Sequence, residues 1–103
     1  MTAPASLDLA EILTPDPTTV ARREAEARRA LAAISLRARV EFRSDGPDAG
    51  AWVFDGPGLR RVRWWPHLEL WDAQDEIAFA EFSGSAREFA EFAIEFGIAE
   101  WRK

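Results

Sequence analysis

The hydrophobic period of this chain changes twice, and those two changes constrain its fold more than any other feature. Up to about Leu36 the apolar residues recur at helical spacing, from Arg37 they alternate with polar ones, and after Ser83 the helical spacing returns. A period near 3.6 places an apolar stripe along one side of a helix, whereas a period of two sends successive side chains to opposite faces of a strand. The order helix, strands, helix follows, which defines an α+β domain.

The first helix starts at Pro17. Asp16 is suited to cap it, and the proline sits where its missing amide hydrogen does no harm. From there "TTVARREAEARRALAAISL" predicts helix to about Leu36, with Arg22–Glu26 and Glu24–Arg28 four residues apart and Leu31, Ile34 and Leu36 toward the core. Residues 1–16 form a separate N-terminal segment. There "SLDLAEIL" predicts a short docking helix presenting Leu9, Ile12 and Leu13, halted by the two prolines of "TPDP". Residues 17–103 then make one domain.

In "RARVEFRS", Arg37, Arg39, Glu41 and Arg43 alternate with Ala38, Val40 and Phe42, the pattern of a strand with one wet and one dry face. "SDGPDAG" is a turn, "AWVFD" a second strand, and "GPG" a second turn. The stretch "RVRWWPHLELW" holds the only histidine. Its even positions Val62, Trp64, Pro66, Leu68 and Leu70 are apolar, and this alternation runs on through the proline, which predicts one long strand over 59–71 with its even face in the core. Pro66 has no amide hydrogen to donate, so the strand is expected at an edge or bulged there. "DAQD" turns into "EIAFAEF", with Ile77 and Phe79 continuing the core. Four strands in meander order result.

The closing helix is the plainest element. Ser85 can cap it, Phe89, Phe92, Ala93 and Phe96 fall on one side, Glu88, Glu91 and Glu95 lie opposite, and Gly97 stands where a left-handed ending is wanted. Ile98 and Trp101 are expected to pack back. The expected architecture is an N-terminal helix, a four-stranded antiparallel β-meander and a C-terminal helix, both helices on one face of the sheet.

The other face is then the candidate site. Strand parity places on it Arg39, Arg43, Arg61, Arg63, Trp65, His67 and Trp71, accompanied by Glu41 and Glu69. Tryptophan and arginine anchor interfaces because a flat ring and a planar guanidinium gain contact area at small entropic cost, and a solvated sheet face has no need of them.

Several chemistries are removed by composition. With no cysteine there is no disulfide framework, thiolate metal site or thiol nucleophile. His67 stands alone, no nucleophile elbow occurs, and the glycines at 46, 50, 56 and 58 belong to turns, not to a phosphate loop. No catalytic residue, metal or cofactor is therefore assigned. The start of the chain lacks the pattern of a secretory signal and no apolar run is long enough to span a bilayer, which points to the cytoplasm and to no membrane partner.

The net charge of -5 hides a split, because residues 20–65 carry ten arginines against six acids and residues 66–103 carry nine acids against Arg87, Arg102 and Lys103. The preference for arginine over lysine reads as genome composition. These features favour a non-catalytic protein-interaction protein, a homodimer, adaptor, chaperone or immunity-type protein, using the arginine and tryptophan face toward a protein partner or a second copy. Single-stranded nucleic acid is the alternative ligand of the same face, by charge for the backbone and rings for the bases, against which the overall acidity stands. A small enzyme built on His67 is the second alternative.

Overall fold

A computed structural model describes residues 15–103; the short docking helix expected in "SLDLAEIL" lies outside the described residues. Helix α1 spans Pro17–Ala32, with the Asp16 carboxylate accepting from the Thr19 amide at 2.9 Å and Pro17 in the first turn. It ends four residues before the expected Leu36. Ala33 closes it, and the next residues leave as strand β1, Ile34–Leu36, paired antiparallel with the last strand β7, Ala99–Trp101. Neither glycine nor proline stops the helix. The competing interaction is tertiary: Ile34 and Ile98 are both fully buried, and the Ile98 carbonyl accepts from the Arg37 amide at 2.7 Å. Ile98 packs back as expected, whereas Trp101 remains 48% exposed.

The main sheet has five strands, not four. In meander order they are β2 (Arg39–Phe42), β3 (Trp52–Asp55), β4 (Arg61–Trp65), β5 (Leu70–Gln74) and β6 (Phe79–Ser83), all antiparallel. The expected single strand over 59–71 is a hairpin. Pro66 opens a 3-10 turn, Pro66–Leu68, closed by Glu69 in the left-handed region at φ 54°, with the Glu69 amide donating to the Pro66 carbonyl at 3.0 Å. The proline's fixed φ and absent N–H suit a turn start at least as well as an edge strand.

That hairpin inverts the parity beyond Pro66. Trp64 lies directly opposite Trp71, and Arg63 opposite Asp72. Within β5 the odd residues Trp71 and Ala73 enter the core, and Leu70, Asp72 and Gln74 lie on the outer face. The β5–β6 turn inverts the parity again, pairing Phe79 with Gln74, so Phe79 sits on the outer face, 54% exposed, and Ile77 is exposed in the turn before it; neither continues the core as expected.

Helix α2, Ala86–Phe96, forms as its pattern dictates. Ser85 and Glu88 make a reciprocal capping box, and Gly97 ends the helix at φ 91°. Its Phe89 ring stacks on Trp64, centroids 3.9 Å apart and planes at 7°, meets Trp71 edge-on, and touches Phe54. Ala27 of α1 joins the same cluster. Both helices thus cover one face of the sheet, and among the described residues no helix lies on the opposite face.

Candidate functional site

The seven residues singled out from the sequence fall into three places. Arg39, Arg43, Arg61, Arg63 and Trp65 share the outer face of β2 and β4, as parity predicts. His67 is in the 3-10 turn, off the face. Trp71 is on the opposite side of the sheet, buried against Phe89 and Phe92, because the hairpin at Pro66 reverses its strand.

Arg63 is the centre of the outer face, and it is held. Its guanidinium spans Asp72 on the neighbouring strand, at 2.5 Å from Nη2 with Nε 3.1 Å from both carboxylate oxygens, and Asp48 from the β2–β3 loop, at 2.7 Å from Nη1. The hydrogen bond to Asp72 raises its pKa further above the ordinary arginine value, with Asp48 adding to the effect and partial burial opposing it. Asp72 is only 7% exposed, so this is a charge-assisted, two-sided clamp and not a surface pair.

The same loop engages Trp65. The indole N–H donates to the Ala49 carbonyl at 3.2 Å, and the Arg63 guanidinium lies 5.3 Å from the ring centroid. The loop folds back over the sheet because Gly50, at φ 86°, lets it reverse: the Arg43 amide donates to the Ala51 carbonyl and the Gly50 amide to the Arg43 carbonyl, both at 2.8 Å. Arg61 reaches Asp48 at 3.5 Å, and Arg43 reaches Glu41 at 3.0 Å.

Around this clamp the face is open among the described residues. Arg39 is exposed, Arg43 and Arg61 are partly so, and Leu70 and Phe79 show 38% and 54% of their surface. Asp48 and Asp72 were missed by sequence reasoning. Asp72 becomes visible once the hairpin at Pro66 is allowed, since it then stands across from Arg63; nothing local in "SDGPDAG" marks Asp48.

His67 belongs to a different feature, an apolar groove of about 690 Å³ between α1 and the β2–β3 side of the core face. Val20, Ala27, Leu31, Phe42, Trp52 and Pro66 line it, with Glu24, Arg28 and His67 supplying the polar part. Burial lowers the imidazole pKa from its ordinary 6.5, Glu24 opposing that shift and Arg23 adding to it. Arg23 also ties α1 to the turn, donating to the His67 carbonyl at 2.9 Å and pairing with Glu69 at 3.0 Å. Among the described residues no side chain hydrogen-bonds the imidazole ring, and no three of histidine, aspartate and glutamate gather as they would around a metal ion. No helix among them is long and apolar enough to cross a membrane.

Comparison with protein-family models, with curated proteins and with solved structures finds no match to this chain.

Proposed function

We propose that this is a non-catalytic interaction protein that docks a partner protein on the outer face of its five-stranded sheet. The observation that supports this reading is the one-sided covering: both helices pack on the core face, while Trp65, Leu70 and Phe79 stand among Arg39 and Arg61 on a face that has no helix over it among the described residues. Apolar and aromatic groups ringed by charge suit a protein interface, where the centre is desolvated and the rim stays wet.

Protein is favoured over single-stranded nucleic acid by how the arginines are spent. Arg63 is neutralised by Asp48 and Asp72, Arg43 pairs with Glu41, and Glu81 is exposed on the same face. A phosphate backbone drawn across it would meet carboxylates as often as free guanidinium groups. The enzyme reading has less support, since the one histidine lines an apolar groove without a hydrogen-bonded partner for its ring among the described residues.

The test is affinity capture from an extract of the protein's own cells, wild type beside Trp65→Ala and Phe79→Ala. A protein retained by wild type and released by the variants supports docking on this face. Retention unaffected by either variant, with both folded, overturns it.

A further inference from the structure

Among the described residues the five-stranded sheet is open, and its two edges differ in kind. On β6, Glu81 sits at the centre of the strand beside Asp72, so another copy approaching that edge meets negative charge. On β2, Arg39 and Glu41 share the outer face, while Val40 and Phe42 on the core face are 41% and 49% exposed. Arg43 bonds inward to the β3 side through both its amide and its carbonyl. By the alternation of an antiparallel strand, Glu41 and Arg39 also bond inward, and Val40 and Phe42 turn their N–H and C=O groups toward the open edge.

We propose that β2 is the seam of a two-fold homodimer, in which a second copy pairs antiparallel with Val40 opposite the partner's Val40. A two-fold axis normal to the sheet keeps like faces together, so a residue can pair only with one an even number of positions from itself. Each of the four residues of β2 can then be the centre: centred on Arg39, that arginine faces its own copy and Val40 must pair with the partner's Ala38, at a bend outside the strand. Centred on Val40, Arg39 faces the partner's Glu41 and Glu41 faces the partner's Arg39, while Phe42 covers the partner's Ala38. Centred on Glu41, the glutamate faces its own copy and Arg39 faces the partner's Arg43, so every charged contact is repulsive. Centred on Phe42, the pairing must run past Arg43 into the loop that folds back over the sheet. Only the register centred on Val40 combines hydrogen-bonding groups and opposite charges within β2.

The two copies together form one ten-stranded sheet whose outer faces are continuous, which doubles the docking face proposed above. The inference rests on that reading for its purpose, and the seam is tested separately from the face.

Molar mass in solution, followed through a dilution series of the full chain, should show a reversible dimer. Glu41→Arg and Arg39→Glu should each weaken it about tenfold, as two cross-strand pairs change from attraction to repulsion. The double variant Arg39→Glu/Glu41→Arg swaps the charges and should restore wild-type association, which a merely structural role for either residue would not produce. In this cysteine-free chain, Val40→Cys should oxidise to a covalent dimer and Phe42→Cys should not. A wild-type monomer at every concentration, dimerisation indifferent to both single charge variants, or cross-linking through position 42 in place of 40 overturns the seam. Those outcomes leave capture through Trp65 and Phe79 intact, and loss of capture leaves the dimer intact, so each proposal fails on its own measurement.

Discussion

Trp64 and Trp71 face each other across the β4–β5 hairpin, on the same side of the sheet, and both pack on Phe89. Trp64 lies flat against that ring and Trp71 meets it edge-on, the two arrangements that the quadrupole of an aromatic ring favours. The hairpin makes this possible, because only a reversal at Pro66 brings residues seven apart into direct opposition.

The two tryptophans that sequence parity assigns to one face should therefore behave very differently. Trp71→Ala removes a buried ring from the aromatic cluster and is expected to destabilise by about 3–5 kcal/mol. Trp65→Ala loses one hydrogen bond and one cation–π contact at a half-buried position, about 1 kcal/mol. Urea unfolding of both variants reads the difference; equal losses would contradict the opposed placement of the two rings.

Gly50 should tolerate no side chain. Its φ of 86° disfavours any L-residue, and a Cβ there would stand 2.9 Å from Cε1 of His67. Gly50→Ala is expected to cost about 1–3 kcal/mol and to loosen the loop that brings Asp48 onto Arg63. Gly46, in the same loop at φ 79° but with open space around it, should lose less. Thermal unfolding of the two variants side by side tests the ranking.

What the sequence makes legible here is what is specified locally. Helix α2 is readable end to end because its Ser85 cap, its Phe89, Phe92 and Phe96 stripe and its Gly97 stop all lie within one element. The alternation through β2, β3 and β4 is equally local. The turn at Pro66–Leu68 is hidden because its left-handed position is filled by Glu69, where glycine or asparagine would have announced it, and because apolar residues on both arms imitate unbroken alternation. Strands β1 and β7 are hidden for another reason. Each is three residues long and gains its hydrogen bonds from a partner at the other end of the chain, while the alanines before Ile34 favour helix. Within the candidate site, Arg39, Arg43, Arg61, Arg63 and Trp65 are brought together as strand parity implies, but the carboxylates that clamp Arg63 come from a hairpin partner and a folded-back loop.

That clamp should show strong energetic coupling. Asp72 is almost fully buried and meets Arg63 through three contacts, whereas Arg22 and Glu26 pair at 3.5 Å on the exposed side of α1. A double-mutant cycle of Arg63→Gln with Asp72→Asn is expected to give a coupling of about 1–3 kcal/mol, against about 0.3–0.5 kcal/mol for Arg22 with Glu26. Removing Asp72 alone leaves a partly buried guanidinium under-compensated and should cost more than removing both partners. Equal coupling in the two cycles would reduce the clamp to a surface pair.

The single histidine gives stability a distinct dependence on pH. Burial in the groove wall holds the folded pKa of His67 below its ordinary 6.5, so between those two values the unfolded chain binds more protons than the folded one. The contribution of His67 is therefore complete above about pH 6.5 and is lost as pH falls through that value toward the folded pKa. Three carboxylates act lower on the scale. Asp16, Asp75 and Glu88 are held below their ordinary values chiefly by backbone amides that donate to them, and their contribution is lost only in more acidic solution. Urea midpoints measured between pH 7.5 and 5 should fall for wild type and stay level for His67→Gln, with both proteins declining together at lower pH. A wild-type midpoint that does not change through the histidine range would mean that the imidazole is as well solvated in the groove as in the unfolded chain, and that Glu24 and Arg23 balance each other at its edge.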